Sequence, residues 1–111
     1  MTGTQAERNL LASIMAMPRL WRMTEGLVNR GDFSDDRLGI IYEQAGHLIG
    51  RGESFGVVEA VAKLPEWGVR GLDASELFAW ETPETYVHGI SEYARAVRSE
   101  AVRRTAVEVG Q

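Results

Sequence analysis

The chain has 111 residues and no cysteine, which suits one small domain and excludes disulfides, thiolate metal sites and thiol nucleophiles. A formal net charge of −4 runs against a whole-domain electrostatic grip on nucleic acid, which shows as a basic face. No apolar run approaches the roughly 18 residues of a membrane span, and Met1-Thr2-Gly3-Thr4 lacks the regions of a secretory leader, so a cytoplasmic location is expected.

In chain order, Thr4-Gln5-Ala6-Glu7 reads as a capping box, in which hydroxyl and carboxylate each satisfy an orphan amide of a first turn. Leu10, Leu11, Ile14 and Met15 follow at helical spacing, and Met17-Pro18 ends the helix because the residue before proline is pushed out of the α region. A second helix starts at Pro18 or Arg19, turns Leu20, Trp21, Thr24, Leu27 and Val28 inward, and closes at Gly31 as a left-handed cap. Asp32-Phe33 then anchors the loop to the core. Asp35 or Asp36 caps the clearest helix, whose stripe is Leu38, Ile41, Tyr42, Ala45, Leu48 and Ile49, ending at Gly50 and Gly52.

Phe55 reads as a buried connector and Gly56 as the cap of a short helix carrying Val57, Val58, Val61, Ala62 and Leu64. A loop from Pro65 to Gly71 holds Trp67 at its edge. Asp73-Ala74-Ser75-Glu76 is a second capping box and opens a helix with Leu77, Phe78 and Trp80. Thr82-Pro83 predicts the start of a last helix running to about Val109, with Tyr86, Ile90, Tyr93 or Ala94, Val97 and Ala101 inward and Gly89 as its weak point. No alternating strand pattern occurs. The expectation is an all-α fold of about six helices. Its core takes in Leu10, Leu11, Ile14, Leu27, Phe33, Leu38, Ile41, Tyr42, Ala45, Leu48, Val61, Leu77 and Ile90.

The chemistry that would make an enzyme is missing from this pattern. A phosphate-cradling loop needs Gly-x-x-x-x-Gly-Lys-(Ser/Thr), and Lys63, the only lysine, follows no glycine-rich turn. His47 and His88 lack metal-ligand spacing, and Asp32, Asp35 and Asp36 lack the alternate ligands and closing glutamate of a calcium loop. Of the tryptophans, Trp21 stands between Arg19 and Arg22, while Trp67 and Trp80 lie beside glutamates; Trp21 and Trp80 read as core rather than as a base-stacking platform. Beyond Ala101 the last helix loses its apolar stripe and becomes charge-rich. A helix that outruns its own core pairs with something else.

Three blocks recur in one order: Glu7-x-x-Leu10-Leu11-x-x-Ile14, then Asp32-Phe33 followed by Ile41-Tyr42-Glu43, then Tyr93-Ala94-x-x-Val97-Arg98 leading to Ala101 and Arg104. In this order and spacing the chain resembles the N-terminal domain of DnaB-type replicative DNA helicases, over roughly residues 5–109. The resemblance implies a small non-catalytic helical bundle, with residues 4–97 as its core and 98–111 as the start of a hairpin helix. It implies no cofactor in this chain, while ATP and magnesium belong to a parent helicase's motor domain. The partners implied are a second copy, in a homodimer or ring of dimers, the motor domain, and primase or a helicase loader. Direct strong nucleic-acid binding and membrane contact are not implied. Tyr93, Val97, Arg98, Ala101, Val102 and Arg104 are the matching interface positions. Gly56, and Gly68 to Leu72, depart from the family's pattern. Alternative readings are a free-standing phage or mobile-element mimic of the helicase head, a small helical DNA-binding regulator, and the helicase-binding tail of primase; Asp32-Phe33 and Tyr93-Ala94 favour the helicase head over the last.

Overall fold

The structure, a computed structural model, describes residues 2–82, 85 and 88–109. Among these residues all regular structure is helical: α1 (Gly3–Ala16), α2 (Asp36–Gly50), α3 (Val57–Lys63), α4 (Ala74–Ala79) and α5 (Ile90–Val109), with two 3-10 helices at Pro18–Thr24 and Arg30–Asp32. The all-α reading of the sequence holds. Pro83 and Tyr86, placed at the start of the last helix from sequence, lie outside the described residues.

Helix α1 runs through the middle of the fold, packing along α5 on one side and against α2 on another. Its cap is Thr2, whose hydroxyl accepts from the Gln5 amide at 3.1 Å, and not Thr4. Glu7 therefore has no capping duty at its own helix. Its side chain is 1% exposed and reaches the far end of a loop, accepting from the Ser34 amide at 3.1 Å, the Ser34 hydroxyl, and the Asp35 amide at 3.3 Å. A glutamate of the first helix thus fixes the entry into α2, where Asp35 accepts from the Arg37 amide as the helix cap. The bidentate Arg37 guanidinium holds the Asp35 carboxyl below its usual range.

The segment after Pro18 departs from expectation. It forms a 3-10 helix that stops at Thr24, and the left-handed residue is Gly26, with φ of +80°, while Gly31 lies inside the second 3-10 helix. The reason lies on α2. Gly39 and Gly46 sit two turns apart, on one face of the helix. A Cβ on Gly46 would stand 2.3 Å from the Trp21 ring, and one on Gly39 would stand 2.7 Å from the Arg30 carbonyl oxygen. Both 3-10 segments press directly on α2 backbone, and the tighter turns fit that approach.

Trp21 is tied down by its indole N–H on the Tyr42 carbonyl at 3.1 Å, with ring centroids 5.5 Å apart. Thr24 donates to the Trp21 carbonyl, which leaves the Tyr42 hydroxyl to donate to Thr24 at 2.6 Å. Burial pushes the Tyr42 phenol up. Gly46→Val is expected to drive the indole out of this seat and lower stability by about 1–3 kcal/mol, read as a reduced thermal midpoint. An unchanged midpoint would mean that the close approach is not structural.

The α2 stripe is buried as its periodicity predicts, Ile49 at the edge excepted. Of the core expected from sequence, Leu27 and Val61 are half-buried and the rest are buried. Helix α3 is rotated relative to expectation: Leu64 is buried as read from sequence, but Ala60 points in and Val58 is 71% exposed. With seven residues it makes only two turns, too few for a stripe to fix its phase. Asp73 caps α4 by accepting from the Glu76 amide at 2.8 Å, Leu77 and Trp80 turn inward, and Phe78 does not. Gly89 precedes α5 and so carries no mid-helix cost.

Candidate protein-docking site

Helix α5 buries one stripe along its length: Ile90, Tyr93, Ala94, Val97 and Ala101. That periodicity decides which of the expected interface residues are available. Tyr93, Val97 and Ala101 are 0%, 1% and 7% exposed. They belong to the domain's own core, which corrects their reading as a free surface. Arg98, Val102 and Arg104 flank the stripe and remain accessible to different degrees.

The helix does not lose its hold on the domain after Ala101. Asp32, at the end of the second 3-10 helix, is buried, and its carboxylate accepts from the Asn29 amide at 3.0 Å and from Arg98 Nη1 at 2.8 Å. Arg104 Nη2 donates to the Asp32 carbonyl at 2.9 Å. One buried residue is held from both sides by arginines about 70 positions away in sequence. The sequence shows no apolar reason for the helix to continue, and the reason is polar. The buried carboxylate has its charge matched by a guanidinium that is itself half-exposed.

Between the 3-10 turn and α5 lies a cleft of about 600 Å³. Gly31 and Asp32 form one wall, and Arg98, Ala101, Val102, Arg104 and Thr105 form the other. Four of the six positions singled out from sequence line it. Two separated blocks of the sequence, Asp32-Phe33 and Tyr93 to Arg104, meet at this one place. Each guanidinium has five N–H donors and uses one in these contacts. The cleft therefore offers a half-exposed aliphatic floor at Val102 beside directional donors for carboxylates.

The other polar candidates resolve into structure. His88 pairs with Glu92 at 2.7 Å and stands edge-on to Tyr93, and His47 is exposed on α2. Asp35 is a helix cap and Asp32 an arginine acceptor. Among the described residues no three potential ligands gather around a metal position, and no helix is long and apolar enough to cross a membrane. Trp80 is buried and Trp21 half-buried under its hydrogen bond, so the aromatic rings form no open stacking row.

One comparison with known proteins agrees with the resemblance read from the sequence. The DnaB-like helicase N terminal domain matches residues 2–99. A search of curated proteins and one of solved structures returned no match. With that match spanning most of its length, the chain belongs to the family of DnaB-like helicase N-terminal domains.

Proposed function

We propose that this chain is a non-catalytic interaction and oligomerisation domain of the replicative helicase machinery, working in the cytoplasm. Its docking site is the cleft between the second 3-10 helix and α5. The observation that carries the reading is the convergence of Asp32 with Arg98 and Arg104 around that cleft. Three of the family's matching positions are spent on the core, and the remaining ones, Arg98, Val102 and Arg104, face a concavity. Arginine is enriched at the centres of protein contacts, and here two arginines frame a half-exposed valine. The partners are a second copy of the chain and a replication protein, primase or a helicase loader. The stretch from Arg98 onward is the start of a hairpin helix, and the nucleotide chemistry belongs to a motor domain.

Val102→Glu tests this without touching the fold, because Val102 is half-exposed and outside the buried core cluster. Binding to the cognate primase C-terminal domain and self-association are both measured, the first by calorimetric titration. The expected result is at least tenfold weaker binding in one of the two, about 1.4 kcal/mol. Wild-type affinity in both would overturn the cleft as the docking site.

A further inference from the structure

We propose that the pocket between the first 3-10 helix and α2 receives one arginine side chain presented by another protein. The inference is independent of the cleft at α5. The pocket encloses about 380 Å³, within the range of about 300–1,000 Å³ that ligand sites occupy. Trp21, Tyr42 and Val28 supply its apolar lining, and Glu25, Glu43 and Arg30 stand among its polar groups.

The local sequence explains both the opening and the wall. Gly26 takes a φ of +80°, in the left-handed region that glycine enters readily, and turns the chain directly after Glu25. A Cβ at Gly26 would meet nothing within 4 Å, so this turn stands clear of the fold. On α2, Gly46 lets the Trp21 indole settle close to the helix, where its N–H is spent on the Tyr42 carbonyl. The Tyr42 hydroxyl is in turn committed to Thr24 at 2.6 Å. The aromatic wall is therefore held in place before any ligand arrives, which lowers the cost of binding.

Charge selects the occupant. Two carboxylates line the pocket against one guanidinium, and with His47 neutral one negative charge is left over. Glu43 is paired with Arg30 at 3.1 Å, whereas the Glu25 carboxylate makes no hydrogen bond or ion pair among the described residues. The Glu25 charge is felt at the wall: the Tyr42 phenol is pushed up by burial first and by Glu25 as well. A spare carboxylate beside aromatic rings favours an organic cation. A guanidinium suits the site better than an ammonium, because it is flat and weakly hydrated and can lie on a ring while its paired donors reach a carboxylate. Free arginine would also bring its own α-carboxylate to an acidic rim, so a residue within a peptide is the better match.

Titration of isotope-labelled protein with N-acetyl-arginine methylamide, followed by NMR, tests the inference. The Trp21 indole and Gly46 amide signals are expected to shift together and saturate, while the indole signals of Trp67 and Trp80 stay in place. The neutral citrulline analogue, equal in size, is expected to bind about tenfold more weakly. Glu25→Gln is expected to weaken the arginine probe by about the same factor, and Arg30→Ala to tighten it, because Glu43 is then released. Both side chains are on exposed residues, and circular dichroism checks that each variant is folded. Effects of opposite sign from two exposed residues are not what a loss of structure produces. No saturable shift at Trp21, equal binding of the citrulline analogue, or an Arg30→Ala variant that binds no tighter overturns the proposal. Tighter binding of free arginine than of the capped probe overturns the protein partner, and tighter binding of the lysine analogue overturns the choice of guanidinium.

Discussion

Glu7→Ala is expected to lower stability by about 2–4 kcal/mol, among the largest single effects in this chain. The carboxylate is buried and accepts from two amides and a hydroxyl at residues 34 and 35. Alanine removes three hydrogen bonds that a part-buried loop makes to one charged acceptor, and bonds to charged groups are worth more than neutral ones. Glu7→Gln keeps one acceptor oxygen and sets an NH2 group against the other donors, so it should fall between the wild type and alanine. Urea unfolding of the three proteins gives the order directly. A loss under about 0.5 kcal/mol for alanine, as at an ordinary surface site, would show that the loop finds other acceptors.

Val97→Asp is expected to be at least as damaging, on the order of 4 kcal/mol, a large share of a small domain's total stability. Val97 is 1% exposed and packed with Tyr93 and Ala94 in the stripe that α5 turns inward. An aspartate there meets no cation in that stripe and must either ionise in the core or take up a proton. On sequence alone the double change Tyr93→Ala, Val97→Asp looks like a probe of a binding face. In the folded chain it removes core, and loss of the cooperative thermal transition is the expected result. A folded variant with a near-normal midpoint would mean that α5 is rotated from the orientation described above.

The contrast between these two residues marks what a sequence of this kind discloses. The stripes of α1, α2 and α5 are legible because burial repeats with the helix and each position is supported by its neighbours. Asp35 and Asp73 are legible as caps because their partners lie two or three residues away. Glu7 is misread for the same reason in reverse. It sits where a capping box would want it, but its acceptor oxygens serve residues 27 and 28 positions further on. The pairs Arg98–Asp32 and Gly46–Trp21 share this difficulty, since nothing local to either partner announces the other. Two glycines within a strong helical pattern are the one signal that a close neighbour crosses α2, because they lower helix propensity and gain only if something approaches.

The pairing of α1 with α5 has a consequence for how the domain is made. Synthesis delivers α1 first and α5 last. Until residues 90–109 have emerged, the stripe of Ala6, Leu10 and Ile14 lacks its principal neighbour, and Asp32 has no guanidinium to meet its charge. Contacts spanning that much of the sequence form late and cannot be replaced by local ones. A nascent chain stalled before Ile90 therefore holds α2 with its two 3-10 segments but exposes the apolar face of α1, the state that chaperones and proteases recognise. Completion of the last helix closes the whole domain: α5 carries both the stripe that covers α1 and the arginines of the proposed docking cleft, so under that proposal a copy that can dock is a copy that has finished folding.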